Sequence, residues 1–138
     1  MSGDRDHTVA TATVTSEEKP YGVRIDAGGH ALRGDELVDH GGADTGPPPF
    51  GLLLSGLGAC TAITLRMYAE RKSWRLSGVD VKLTYVVEDR HTRWIDRLIT
   101  VHGVDDDQRA KLAEIAEKTP VTKAVRAGTE IRTTVNAA

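Results

Sequence analysis

Cysteine occurs once in this chain, at Cys60, and aromatic residues are nearly absent, with one Phe, two Trp and three Tyr. A lone cysteine excludes an intramolecular disulfide, which suits a reducing compartment, and a cytoplasmic location is expected. So few aromatics leave no stacking platform for nucleobases. A charge excess of one sign is lacking too. The formal net charge is −2 and the sequence pI about 6.2, so there is no electrostatic case for nucleic acid or an anionic membrane as partner. The opening "MSGDRDHTVATATV" has no basic start followed by an apolar block and does not read as a secretory signal.

Charged residues are missing altogether between Asp44 and Arg66, a stretch long enough to raise a membrane span. That stretch contains Pro47, Pro48 and Pro49, and its apolar part, Phe50 to Leu65, falls short of the ~20 residues a spanning helix needs. Ser55, Gly56, Gly58, Thr61 and Thr64 dilute it further. It reads as a buried helix, and no membrane partner is expected. At 138 residues the chain is most simply one domain, 1–138, able to bury about two thirds of its unfolded surface without a disulfide or metal.

Local pattern predicts an α+β order. Residues 7–36 read as a small antiparallel meander: "HTVATATVTS", then "YGVRIDA", then a Gly28-Gly29 turn into "HALRGDE". Residues 37–49 are turn-rich and should form a long loop. A helix follows from Pro49 to Lys72. Its first four turns are apolar all round, which predicts burial on every side, and a second copy of the chain is the simplest source of cover. Cys60 lies on the stripe Leu53, Leu57, Cys60, Thr64, Met67, beside the small residues Ser55, Gly58, Ala59 and Ala62. "GVDVKLTYVVED" and "RWIDRLITVHG" alternate as a hairpin across "DRHT". Asp105 and Gln108 are spaced as a capping box for a helix over 105–118, with Leu112 and Ile115 inward. Thr119 as N-cap and Pro120 as first residue open a short helix closed by Gly128, and "TEIRTTV" (129–135) reads as a final strand.

Taken by itself, a mid-helix cysteine in apolar company is inert unless a cation or hydrogen-bond donor is brought to it. His30, His40 and Asp44 have no zinc-site spacing, so no metal is expected. Gly41, Gly42 and Gly46 lack the strand-turn-helix setting of a phosphate loop, and Ser55 is not in a nucleophile elbow; no cofactor is expected either.

The run "GGADTGPPPFGLLLSGLGACTAITLRMYAERK" resembles the superfamily of osmotically inducible protein C (OsmC) and organic hydroperoxide resistance protein (Ohr). The loop "GG-x-D-x-GP-x-P" leading into "LL-x-x-L-x-AC-T" is similar to that family's signature, and "TPVTKAV" resembles the segment that holds its second cysteine as Cys-Pro-Val. The resemblance covers nearly the whole chain. It implies antiparallel sheets wrapped around a long central helix in an intertwined homodimer. It also implies thiol chemistry, in which a first cysteine attacks an organic hydroperoxide and a second resolves the sulfenic acid as a disulfide. Cys60 matches the attacking position.

Three matched positions differ. The resolving position is Thr119, the position of the family's catalytic glutamate is Phe50, and the arginine expected after a Gly-Gly turn is replaced by His30. Arg24, His30 and Arg33 are the candidates to stabilise a Cys60 thiolate, reaching across from the partner chain. Two functions follow from the resemblance. One is a stress-defence, one-cysteine thiol peroxidase acting on organic hydroperoxides, with an external thiol as reductant. The other is a catalytically weak or inactive dimer that binds a small apolar ligand in an intersubunit pocket, with Cys60 as part of the wall.

Overall fold

The computed structural model describes residues 6–18 and 20–138. The first five residues of the stretch compared with a secretory signal lie outside the described residues. The chain forms two compact units, one running to Leu53 and one from Leu54 onward.

In the N-terminal unit, β1 (Ala12–Ser16), β2 (Val23–Ala27) and β3 (His30–Gly34) form an antiparallel meander in the order β1-β2-β3. The β2–β3 turn is made by Gly28 and Gly29, both at positive φ, and Asp26 Oδ1 accepts the Gly29 N–H. The first strand is shorter than predicted, because its threonine-alanine pattern has no apolar face and all five residues stay exposed. The segment after β3 holds one 3-10 turn, Val38–His40. It is folded against the end of β3: Asp35 N–H donates to the Pro47 carbonyl and Asp44 N–H to the Glu36 carbonyl.

This folding gives the "GGADTGPP" motif a physical reason. A Cβ on Gly42 would stand 2.0 Å from the Glu36 carbonyl oxygen, and one on Gly46 would stand 2.7 Å from the Arg33 carbonyl oxygen. Asp44 itself adopts a left-handed φ of 54°. The turn therefore depends on backbone approaching backbone, which only glycine permits.

Helix α1 spans Pro49–Arg71. It ends where Ser73 takes a left-handed φ of 58° and the Trp74 N–H returns to the Ala69 carbonyl. In the C-terminal unit it is followed by the hairpin β4 (Gly78–Val87) and β5 (Arg93–His102), in register from Gly78↔His102 to Val87↔Arg93. Asp89 Oδ1 accepts the His91 and Thr92 amides and closes the hairpin turn. Helix α2 (Asp106–Ala116) begins with the predicted capping box, Asp105 and Gln108 each accepting the other's backbone N–H. Helix α3 (Pro120–Ala127) follows, with Thr119 as N-cap and Gly128 as C-cap. The core of this unit is Leu65, Ala69, Leu76, Leu112 and Ala116, with Tyr68, Trp74, Ile99 and Ile115 packed against it.

Within one chain α1 is covered on one side only: Leu57, Thr61, Leu65 and Ala69 are buried, one stripe at four-residue spacing, and the cover expected from a second copy lies outside a single chain. Ile63 and Met67 are more than half exposed, and only 17% of the helix's most apolar window is buried. By length and composition alone α1 could cross a membrane, a test that the core helix of a soluble protein also meets. One expectation is corrected, at the end of the chain. Residues 129–135 form no strand, and Ile131 and Val135 are almost fully exposed. Alternation of Thr, Ile and Val favours a strand, but a strand needs a hydrogen-bonding edge, and among the described residues no strand pairs with this segment.

Candidate functional site

Helix α3 begins with a shortage of amide acceptors, as every helix does. Pro120 has no N–H to satisfy. Thr122 N–H is taken by the Thr119 hydroxyl and Lys123 N–H by the Thr119 carbonyl. The amide left over is that of Val121, and it donates to Cys60 Sγ at 3.5 Å. Thr64 Oγ1, one turn on from Cys60, lies 3.9 Å from the same sulfur. The half-buried thiol of α1 thus meets the N-terminus of a different helix, where the backbone dipoles favour negative charge on an acceptor.

A cation, Arg97, holds this arrangement. On β5 the half-buried positions are Ile95, Arg97, Ile99 and Val101, so Arg97 occupies an otherwise apolar inward register. Its side chain is only 11% exposed. Nη1 donates to Thr61 Oγ1 at 3.0 Å and to Thr122 Oγ1 at 2.8 Å; Nη2 donates to the Ala116 carbonyl at 3.0 Å and lies 3.4 Å from Glu117 Oε2. Thr61 follows Cys60 and Thr122 follows Val121, so Arg97 ties together the residues beside both halves of the sulfur–amide contact. Sequence reasoning missed Arg97 and Val121. The readable signal for Arg97 was a charge in the inward phase of an alternating strand. For Val121, 61 residues away from the cysteine, the signal was its segment "TPVTKAV", which the resemblance sets beside Cys60, although not which of its groups meets the sulfur.

These residues lie inside the stretch matched by the family model for OsmC-like proteins, residues 41–134. The chain belongs to the OsmC-like family. Solved structures agree on the fold of this OsmC-like protein. A proposed osmotic-stress-induced and detoxification-response protein of Psychrobacter arcticus is 20% identical, with a TM-score of 0.73 over 86% of this chain and 90% of that one. An organic hydroperoxide resistance protein, OsmC, of Legionella pneumophila is 16% identical, with a TM-score of 0.64 over 86% and 90% of the two chains. The organic hydroperoxide resistance protein OhrB of Bacillus subtilis is 18% identical, with a TM-score of 0.60 over 86% and 91%. No curated protein matches the sequence significantly.

The other candidate positions can now be placed in this OsmC-like chain. Thr119 is fully buried, and its hydroxyl lies 2.6 Å from that of Thr122. In the N-terminal unit Arg24 is exposed on β2, directly opposite Arg33 on β3, and His30 is exposed at the start of β3. Arg33 donates to Glu17 through both terminal nitrogens, at 2.5 and 3.0 Å, and through Nε to Thr45 Oγ1 at 2.9 Å. Its hydrogen bonds hold the Glu17 carboxyl below the ordinary carboxylate range. A Cβ on Gly22 would meet the tips of both side chains, so a substitution there would shift this pair. Phe50 is exposed in the first turn of α1. Among the described residues no three His, Cys, Asp or Glu side chains gather as a metal site.

Proposed function

We propose that this OsmC-like protein is a one-cysteine, thiol-dependent reductase of organic hydroperoxides in stress defence, with Cys60 as nucleophile. The observation that carries the reading is the Val121 N–H donated to Cys60 Sγ at a helix N-terminus. The thiolate attacks the terminal oxygen of a hydroperoxide ROOH. The O–O bond breaks, an S–O bond forms, and ROH leaves after taking a proton, with Cys60 oxidised to a sulfenic acid. With Thr119 where a resolving cysteine would stand, an external thiol condenses with the sulfenic acid and releases water. A second thiol then frees Cys60 and leaves as the disulfide. Arg24, His30 or Arg33 of a partner chain is the proposed further cation at the thiolate, and the proposed working unit is a cytoplasmic homodimer.

Stopped-flow loss of the Cys60 thiol with cumene hydroperoxide tests this. The expected result is a rate above that of free cysteine at neutral pH, one oxygen added by intact mass, and no reaction in Cys60→Ser. Phe50 and Thr119, which supply neither a carboxylate nor a thiol, favour a second reading: an apolar ligand held between subunits against an inert Cys60. A rate no greater than that of free cysteine would select it.

A further inference from the structure

The C-terminal unit contains a cleft of about 730 Å³, within the ~300–1,000 Å³ range of small-molecule sites. Leu57, Trp94, Ile95 and Val125 make its apolar wall. Its charged groups are unbalanced, with Arg93, Arg97 and Arg126 set against the single carboxylate of Glu117. Glu117 is committed to Arg126 at 2.7 Å and reaches Arg97 only at 3.4 Å. Arg97, nearly buried, is otherwise bonded to neutral oxygens, so Arg97 and Arg126 share one carboxylate and the trio keeps a formal charge of +1. Arg93 forms no ion pair among the described residues.

We infer that this cleft binds a small organic anion, a carboxylate or equivalent group carried on an apolar body. A buried guanidinium without a full counter-charge keeps a positive potential in its cleft, and its planar donors suit a carboxylate. The apolar wall gives the rest of the ligand somewhere to leave water. A bare inorganic anion uses only half of that surface. Cys60 is not among the lining residues, although Arg97 and Thr122 line the cleft and also flank the thiol, so binding is tested with Cys60 removed.

Isothermal titration of the full chain carrying Cys60→Ser, with 4-phenylbutyrate, 4-phenylbutanol and inorganic phosphate, tests the inference without any turnover. The expected result is one phenylbutyrate per chain, bound about tenfold or more tighter than the alcohol or phosphate. The double variant Arg93→Ala/Arg126→Ala, both exposed positions, should keep its circular dichroism spectrum and lose that preference. Equal affinity for acid and alcohol, no heat with the acid, or a preference undiminished in the folded double variant would each overturn it. Because Cys60 is absent throughout, none of these outcomes bears on the peroxidase proposal.

Discussion

Asp35 shows how much one side chain can organise. It is 3% exposed, and its carboxylate accepts the Thr45 hydroxyl at 2.5 Å, the Thr45 amide at 3.1 Å and the Glu36 amide at 2.7 Å. The Thr45 hydroxyl, first, and the amides hold this carboxyl below the usual range. The His91 amide does the same for Asp89, and Arg126 for Glu117. A depressed folded value means stability that is present above the unfolded pKa of about 4 and lost as pH falls through the folded value. The melting temperature should therefore drop steeply below about pH 4. Asp35→Asn should melt lower than wild type at pH 7 and lose less on going to pH 3; an unchanged acid slope in thermal melts would exclude Asp35 as a source. Arg97 works at the same scale on the C-terminal unit. Arg97→Ala should cost about 2 kcal/mol in urea unfolding, the loss of several charged hydrogen bonds partly offset by water. It should also slow peroxide-driven loss of the Cys60 thiol, with Arg97→Lys restoring part of the rate.

Elements end where local chemistry says they should, and those ends can be tested. Asp105→Ala removes one half of the capping box of α2 and should cost about 1 kcal/mol. At the end of α1, Ser73 sits at φ 58°, a conformation glycine adopts without strain. Ser73→Gly should leave stability equal or raise it, as read from the urea midpoint. Gly42→Ala should do the opposite, because the Glu36 carbonyl already occupies the methyl's place. These caps and turns were legible because each depends on residues a few positions apart. The fate of 129–135 was not, since strand propensity does not supply an edge to pair with.

At the scale of the whole molecule, α1 leaves an apolar face uncovered. Leu53, Gly56, Cys60, Ile63 and Met67 recur at the three-four spacing of a helix–helix seam, and Leu53, Ile63 and Met67 are exposed in the single chain. Contiguous apolar surface of this kind marks an interaction site. The chain is expected to sediment as a dimer at micromolar concentration. Ile63→Glu should yield monomer or aggregate, whereas a chain that functions alone would tolerate a charge at this exposed position. Analytical ultracentrifugation of both proteins decides it.

The sequence alone determined the α+β order, the hairpin, the two helices after it with their caps, and the family signature. Each of these rests on spacing within one element or on a contiguous motif. Only the tertiary structure showed that the Val121 amide meets the cysteine and that Arg97 bonds the neighbours of both, Thr61 and Thr122. Two groups far apart in the chain share a hydrogen bond only after β5, α2 and α3 have packed on the buried stripe of α1, and no local pattern encodes that packing. The same holds for which stripe of α1 one chain covers. A run of apolar residues says that a helix needs burial, while the geometry of the remaining elements decides how much of it one chain supplies.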